Sequence, residues 1–422
     1  MSSMKTNKSI DTVKILSIIC PMIYFASYLT RKNYGIVLDA VISSEGIAKE
    51  TAGFIETLAL ISYGIGQIIS GFLGDKFKPQ NIIKVGLGST TVCNLLMPFC
   101  PNIYLRGAIW FINGFAQSML WPPLVRIMAA TMDSKIYSRV CANVNVAGIG
   151  GTILLYLSSS LVWLKFFGAG GWKYTFFSSA AVCAVIFAVW VLSFRKMNEN
   201  GALEFKKSEK KENKDGAKKI NFSLLARSGF ILIALGIILQ GMLRDGITDW
   251  VPTFIGDTFN IKSEDSILMA VILPIIGVIS LKLVGFVNEK FVKDEVFGAS
   301  VTYIIALACV TLLFFFYDKN QFVTLGLSAV AVGCMHAINF FLICIVPIKF
   351  EKFGIVSTMS GIINSLTYVG SAAALTGFGY ISERSSSWRA CIGAWVIIAV
   401  LGMLVCFGAV KPWKMFGNTV NE

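Results

Sequence analysis

Two arginines lie inside long apolar stretches, and they constrain the fold of this chain more than any other feature. Arg31 follows the run SIICPMIYFASYLT, and Arg244 follows FILIALGIILQGML, 213 positions later. A second match has nearly the same period, because GFLGDKF at 71–77 resembles GFVNEKF at 285–291. An arginine at the centre of a bilayer costs about 3 kcal/mol or more, so it rarely occurs there without a function. The spacing predicts two copies of one unit, each with an arginine at the same depth of its first helix.

The composition indicates a helical membrane protein. Of the 422 residues, 55% are hydrophobic and 14% are charged, whereas a soluble domain carries about 25% charged residues. The apolar runs are long and do not alternate, which favours helices over a barrel. The 10 cysteines fall mostly inside these runs without ligand spacing, so we interpret them as packing residues and expect neither a metal nor a cofactor.

The hydropathy pattern predicts twelve transmembrane helices. Their approximate ranges are 12–42, 52–74, 81–99, 104–131, 137–165, 172–194, 225–256, 264–288, 296–316, 320–347, 354–381 and 388–410. We therefore expect an all-α membrane protein with two pseudo-symmetric six-helix bundles, 1–194 and 225–422. The charged segment 195–224 between them is predicted to be a cytoplasmic linker.

The distribution of lysine and arginine predicts the orientation in the membrane. These residues cluster before the first span, after the second, fourth, tenth and twelfth spans, and in the linker. Cytoplasmic loops carry such an excess, so we expect a multi-pass protein of the plasma or inner membrane with both termini in the cytoplasm. The same rule explains the net charge of +13 without nucleic-acid binding.

The two arginines are candidates for contact with an anion. The guanidinium fork suits a phosphate or carboxylate better than a lysine does. Arg31 has the alternative of snorkelling or pairing with Asp39, which is two turns away on the same helix. Arg244 has the alternative of pairing with Asp245 or Asp249, although positions i+1 and i+5 are not facing positions on a helix. Substrate contact is the interpretation that the repeat favours.

Two arginines that face one cavity favour a dianion as the substrate. An empty site of this kind would repel itself and be poorly solvated. Inorganic phosphate and phosphate monoesters carry enough charge and enough acceptor oxygens to balance both cations, whereas a monocarboxylate would leave one arginine unmatched.

Other residues of the first and fifth spans are also candidates for substrate binding. Tyr24, Tyr28 and Arg31 have the spacing i, i+4, i+7 and so share one helix face, where a phenol could donate to a phosphate or simply pack. Lys32 is a candidate for substrate contact or for snorkelling. Asn145, near Asn143 in the glycine-rich fifth span, is a candidate for lining the pore or for bonding between helices.

Asp75 and Arg126, at the predicted cytoplasmic ends of the second and fourth spans, are predicted to pair and form an inner gate. His336 is the only histidine, and we expect few carboxylates in the spans, which argues against proton coupling as the main driving force. The chain has no Walker sequence, so we do not expect an ATP-driven pump.

The motifs resemble those of a known family. The segment GFLGDKFK at 71–78 resembles the loop motif of the major facilitator superfamily. The segments YLTRKNY at 28–34, WPPLVR at 121–126 and LRDGITDWVPT at 243–253 resemble those of the organophosphate:phosphate antiporters. The resemblance covers nearly all twelve spans. It implies that Arg31 and Arg244 hold the phosphate group and that inorganic phosphate returns through the same site.

The chain departs from the glycerol-3-phosphate branch of that family at several positions. Gln67 stands where that branch has a lysine, Val144 beside Asn145 where it has a histidine, and Leu273 where it has a glutamate. Gly241 stands in place of a tyrosine. We expect the missing tyrosine to widen the pocket near Arg244, which favours a larger organic group.

We therefore expect a monomeric secondary transporter, not an enzyme, that exchanges an organic phosphate for inorganic phosphate by alternating access. Two alternatives stay open. One is a transporter-like receptor that senses external hexose phosphate, and the other is an organic-anion symporter.

Overall fold

The computed structural model describes residues 2–47, 49–199, 228–261, 269–290, 294–385 and 388–421. Most of the predicted linker 195–224 and the start of the eighth predicted span lie outside these residues. Every regular element in the described part of the chain is a helix. Eight of its segments are long and apolar enough to cross a membrane. The prediction of an all-α membrane protein is confirmed.

The helices form two compact units. The first contains Met1–Ala217 and also Gly354–Ile362, and the second contains Lys218–Phe353 and Ile363–Glu422. In the first unit, the α-helices are α1 Ser2–Arg31, α2 Asn33–Ile36, α3 Leu38–Glu45, α4 Lys49–Lys76, α5 Pro79–Leu96, α6 Ile103–Ser118, α7 Trp121–Thr131, α8 Ser134–Ser158, α9 Leu164–Phe167 and α10 Trp172–Glu199. The remaining α-helices are α11 Phe230–Phe259, α12 Ile272–Lys290, α13 Glu295–Phe316, α14 Gln321–Asn339, α15 Val356–Ser385 and α16 Trp388–Asn421.

Local sequence explains where several helices begin. The first amides of a helix lack intrahelical partners, and short polar side chains satisfy them. Asn102 accepts from the Tyr104 amide at 2.9 Å, and Asn320 accepts from the Phe322 amide at 2.9 Å. These caps fix the starts of α6 and α14 within about a residue of the predicted spans.

Several of the predicted spans are interrupted in the structure. The fourth is divided into α6 and α7, and α7 begins with Trp121-Pro122-Pro123. Proline lacks the backbone N–H that would continue the hydrogen bonds of the preceding helix, so the chain restarts there. The tenth contains a π-helical turn, Phe340–Ile345, which is followed by the 3-10 helix Val346–Phe353.

An aromatic cluster forms part of the core of the first unit. Tyr34, Trp110, Trp172 and Phe176 are fully buried. The ring centroids of Trp110 and Phe176 lie 5.5 Å apart, and those of Tyr34 and Trp110 lie 5.6 Å apart. The cluster fixes α2, α6 and α10 against one another beside the end of α1.

The predicted widening at Gly241 is wrong. A methyl group on Gly241 would clash with the carbonyl oxygen of Thr367, and one on Gly370 would clash with the carbonyl oxygen of Ile238. The backbones of α11 and α15 therefore touch along this line, as small residues allow in membrane helices. The space that a tyrosine would fill is occupied by backbone, so Gly241 tightens the contact between two helices.

This contact predicts that Gly241→Ala lowers stability. The added methyl forces α11 and α15 apart, at a cost of about 1–3 kcal/mol, and the apparent melting temperature of the purified protein in detergent should fall by several degrees. Gly326→Ala is the matched control, because a methyl there meets nothing within 4 Å and alanine favours a helix. Equal melting temperatures for the two variants would contradict the close contact.

Candidate substrate site

The first helix breaks directly after Arg31, and side-chain amides cause the break. In a continuous helix, the amide of Tyr34 would donate to the carbonyl of Thr30. Instead, the Tyr34 amide donates to Asn33 Oδ1 at 3.1 Å. The Thr30 carbonyl accepts from Asn94 Nδ2 at 3.0 Å and from Asn113 Nδ2 at 3.1 Å. Arg31 is therefore the last residue of α1.

A buried polar network holds this break in place. Gln117 Nε2 on α6 donates to the hydroxyls of Thr30 and Thr90, each at 2.8 Å, and Ser27 donates to Gln117 Oε1 at 2.6 Å. Asn33 Nδ2 donates to Asn94 Oδ1 at 2.6 Å. Buried networks of this kind are rigid when their members are satisfied, so α1, α5 and α6 fix the position of Arg31 together.

Arg31 lies between aromatic rings. Only 9% of the residue is exposed, and its guanidinium carbon lies 4.7 Å from the Tyr28 ring centroid and 4.5 Å from that of Tyr63. Tyr63 on α4 was not identified from the sequence, because its contact with Arg31 crosses between helices. These rings supply cation–π stabilisation of the buried guanidinium.

Tyr24 belongs to the same aromatic group. Its ring centroid lies 5.2 Å from that of Tyr28 and 5.0 Å from that of Trp121. A methyl group at Gly148 on α8 would meet both tyrosine rings at about 3 Å. The shared face predicted for Tyr24, Tyr28 and Arg31 is therefore present, and the glycine-rich fifth span makes room for it.

The other predicted substrate residues lie in different surroundings. Lys32 is exposed and follows the end of α1. The side-chain amide of Asn145 donates to the carbonyl of Cys141 on its own helix at 2.9 Å. The side chain of Asp39, the alternative partner for Arg31, lies outside the described residues. Substrate contact stays a prediction for both Lys32 and Asn145.

A carboxylate on α4 lies close to these cations. Glu56 Oε2 accepts from the indole nitrogen of Trp110 at 2.9 Å, and the positive charges of Lys32 and Arg31 act on it. The sequence argument missed Glu56 because it precedes the most apolar part of the second span. Glu56 is therefore a carboxylate within the predicted second span that the sequence argument did not consider.

Arg244 pairs with its neighbour in sequence. Its Nε and Nη2 atoms donate to the two oxygens of Asp245 at 2.7 and 2.8 Å, and Ser371 also donates to Asp245. The expectation that position i+1 points elsewhere on the helix was wrong, because the long arginine side chain bends back to its neighbour. Arg244 is therefore not an uncompensated cation, because Asp245 pairs with it through both carboxylate oxygens.

His336 lies close to this pair. Both Arg244 and Asp245 interact electrostatically with it, and a methyl group at Gly277 would lie 2.9 Å from its ring. Each arginine therefore has a titratable neighbour within its own unit. The sequence argued against proton coupling because titratable groups were expected to be lacking. With these neighbours present, that argument is weaker.

The predicted pair at the end of α4 is part of a larger arrangement. Arg126 Nε lies 3.9 Å from Asp75 Oδ1, and Arg126 Nη1 donates to the carbonyls of Gly74 and Phe77. Asp75 accepts from the amides of Ser357 and Thr358 at 3.0 and 2.7 Å. Asp75 thus binds the first turn of α15, and the sequence predicted only the arginine half of this contact.

The arrangement of polar residues inside apolar helices is that of a polytopic membrane transport protein. A model of the Major Facilitator Superfamily matches residues 22–375, so the chain belongs to this superfamily and the resemblance seen in the sequence is confirmed. Solved structures agree on the fold: a proton:xylose symporter, XylE, superposes with a TM-score of 0.74 at 13% identity, covering 94% of this chain and 95% of that one.

Similar sequences include two transport proteins that are named for organic phosphates and one membrane sensor. The glycerol-3-phosphate transporter of Bacillus subtilis is 25% identical over 381 residues, which cover 86% of this chain and 84% of the relative. A probable hexose phosphate transport protein of Chlamydia pneumoniae is 21% identical over 74% of this chain and 72% of the relative. The membrane sensor protein UhpC of Escherichia coli is 20% identical over 63% of this chain and 62% of the relative.

The contacts of Asp75 predict that Asp75→Asn loosens the start of α15. Asparagine loses the charge that strengthens the bonds to the Ser357 and Thr358 amides, each worth about 1.5–3 kcal/mol. Hydrogen exchange at these two amides should then accelerate by about tenfold or more. Asp133→Asn is the control, because Asp133 caps α8 through the Ile136 amide at 2.8 Å. Unchanged protection in Asp75→Asn would show that the carboxylate does not hold this turn.

Proposed function

We propose that this protein is a secondary transporter that exchanges an organic phosphate for inorganic phosphate by alternating access. One observation carries the proposal: each unit has an arginine at the corresponding position. Arg31 in the first unit is buried, and Arg244 in the second unit is half-buried. Each lies within a membrane-spanning helix and carries a guanidinium fork of the geometry that matches phosphate oxygens. At Arg244, a phosphate would compete with Asp245 for that fork.

The relatives support an organic phosphate as the substrate. Their descriptions name glycerol 3-phosphate and hexose phosphate, and both kinds of compound carry a phosphate monoester group. Arg31 and Arg244 are assigned to that group, with Lys32, Tyr24, Tyr28 and Asn145 as further substrate contacts. Because Gly241 does not open a pocket, the size of the organic part stays open in this proposal.

Asp75 and Arg126 are assigned to gating. The α15 amides bound by Asp75 belong to a helix whose later part, from Ile363, lies in the second unit. A movement of that helix would break bonds at Asp75 without touching Arg31. We place the protein as a monomer in the plasma or inner membrane, in contact with lipid, with both termini in the cytoplasm.

A receptor that senses external hexose phosphate is the second candidate. It is favoured by the similarity to the membrane sensor protein UhpC. A receptor would bind its ligand through the same arginines, so only measurement of flux separates the two functions. The organic-anion symporter is the third candidate, and the titratable neighbours of both arginines keep it open.

The proposal predicts that Arg31→Lys and Arg244→Lys each abolish most phosphate transport. Lysine keeps the charge and loses the bidentate fork, and binding should weaken by about 2–4 kcal/mol. The measurement is uptake of labelled phosphate into vesicles that contain the purified variant. Arg384→Lys is a matched control, because Arg384 stacks on Tyr380 at 5.2 Å and is exposed. Near-normal uptake by Arg31→Lys or Arg244→Lys would place the substrate site elsewhere.

Exchange is expected to be much faster than one-way flux. A bound phosphate supplies the free energy that distinguishes the conformations, whereas the empty carrier must move desolvated charges alone. Vesicles loaded with phosphate should therefore take up labelled organic phosphate far faster than empty vesicles, with no ATP requirement and little effect of a proton ionophore. Equal uptake in both, abolished by the ionophore, would indicate a proton-coupled symporter. Tight binding without flux in either condition would indicate the receptor.

A further inference from the structure

We propose that Asp245 binds Arg244 in place of phosphate when the carrier is empty, and that Asp245 thereby sets both the affinity for phosphate and the strictness of exchange. The inference rests on the proposed function and deepens it, because it gives Asp245 a role in regulating the site. Ser371 on α15 is the residue that holds the Asp245 carboxylate when phosphate displaces it.

The Asp245 carboxylate binds Arg244 in the way that a phosphate would. Arg244 Nε donates to Asp245 Oδ1 at 2.7 Å, and Arg244 Nη2 donates to Asp245 Oδ2 at 2.8 Å. Arginine makes the same two parallel bonds with a pair of phosphate oxygens. A phosphate can take this edge of the guanidinium only after Asp245 has left it. At the other edge, the phosphate would lie beside a carboxylate of the same charge, which disfavours binding.

The pair is accessible to an entering solute. Arg244 and Asp245 keep 15% and 25% of their side-chain surface exposed. Charged residues in a membrane-spanning helix almost always face the protein interior or a water-filled cavity, so we assign this exposed surface to an aqueous path. Asp245 therefore leaves Arg244 in contact with water, which lowers the cost of separating the two charges.

Ser371 gives the displaced carboxylate a partner. Its hydroxyl donates to Asp245 Oδ2, which is the oxygen that also accepts from Arg244 Nη2. Because Ser371 lies on α15 and Arg244 on α11, the carboxylate can leave the arginine and keep its bond to the serine. The loaded carrier therefore depends more on Ser371 than the empty carrier does.

The sequence repeat places this carboxylate in the second unit alone. At the period of 213 positions, Asp245 corresponds to Lys32. The position after the arginine thus carries a positive charge in one unit and a negative charge in the other. A phosphate is attracted by the first of these side chains and repelled by the second, so Asp245 acts against phosphate binding.

A carboxylate in place of phosphate also changes the movement of the empty carrier. An arginine without an anion is costly in a region of low dielectric, and a carboxylate in direct contact reduces that cost. Asp245 therefore lets some empty carrier return without phosphate, at the expense of affinity. Removal of its charge should make phosphate bind more tightly and make exchange stricter.

The first test measures the affinity for inorganic phosphate. Phosphate is titrated calorimetrically into the full-length wild-type protein and into Asp245→Asn, whose side chain has nearly the same shape without the charge. The variant should bind phosphate about tenfold or more tightly. Other groups around the pair, His336 among them, are present in both proteins, so the difference reports the carboxylate.

Unchanged or weaker binding by Asp245→Asn overturns the inference. If asparagine lowers the melting temperature of the protein, Asp245→Ala provides the same comparison. Asp257→Asn is the matched control, because Asp257 lies on the same helix and accepts from the Trp388 indole at 3.0 Å. It loses the same charge and should keep wild-type affinity. A wild-type protein that is folded and binds no phosphate would remove the proposed function together with the inference.

The second test compares exchange with one-way flux. Uptake of labelled phosphate is measured in vesicles that are loaded with phosphate and in empty vesicles, at saturating external phosphate. In Asp245→Asn, one-way uptake should fall more than exchange does, because the empty carrier has lost the anion that replaces phosphate. A ratio of exchange to one-way uptake that is equal to or below the wild-type ratio overturns the role of Asp245 in the empty carrier.

The third test determines whether Ser371 acts through Asp245. Ser371→Ala should weaken phosphate binding severalfold in the wild-type background and have a much smaller effect in Asp245→Asn, since residues that act through one contact are not additive. Ser371→Thr keeps the hydroxyl and should keep wild-type affinity. Equal weakening in both backgrounds, or none in the wild type, overturns the assignment of Ser371 while the proposed transport function stands.

Discussion

The first unit depends on the carbonyl oxygen of Thr30, which accepts hydrogen bonds from two side chains and not from its own helix. Asn94 and Asn113 donate to it from α5 and α6. A carbonyl inside a membrane must be satisfied within the protein, so these amides make a helix end possible where an unbroken span would otherwise continue. The last turn of α1 also carries partial negative charge at its carbonyls, which favours a cation there. Arg31 occupies that turn.

The two arginines meet the cost of burial in different ways. Arg31 lies between two aromatic rings, that of Tyr28 one turn earlier on α1 and that of Tyr63 on α4, and near Glu56. Arg244 binds Asp245 directly and bidentately. Under the proposed function, an anion at Arg31 would lie near a carboxylate, whereas an anion at Arg244 would compete with one. The repeat in the sequence therefore places its two arginines in chemically different surroundings.

The sequence predicted the features that follow from long periodic patterns. The helical class, the positions of the arginines and the shared face of Tyr24, Tyr28 and Arg31 all depend on spacing within one helix. Tyr63, Glu56 and the α15 amides at Asp75 could not be found in this way, because their contacts join residues from different helices. Gly241 shows the same limit of sequence-based prediction. The absence of a side chain there can open a pocket or let another backbone approach, and only the position of α15 decides which of the two occurs.

The contact at Asp75 is built from bonds that water can replace. The amides of Ser357 and Thr358 belong to the first turn of α15, where no intrahelical acceptor is available. They lose no helical bond when Asp75 withdraws. Asp75 and Arg126 keep 9% and 14% of their side-chain surface exposed, so solvent has access to both partners as they separate. A buried pair without this access would cost several kcal/mol to break. The position of these charges at a helix start, next to solvent, therefore suits the proposed gating role, because the contact binds the start of α15 and can be released at moderate cost.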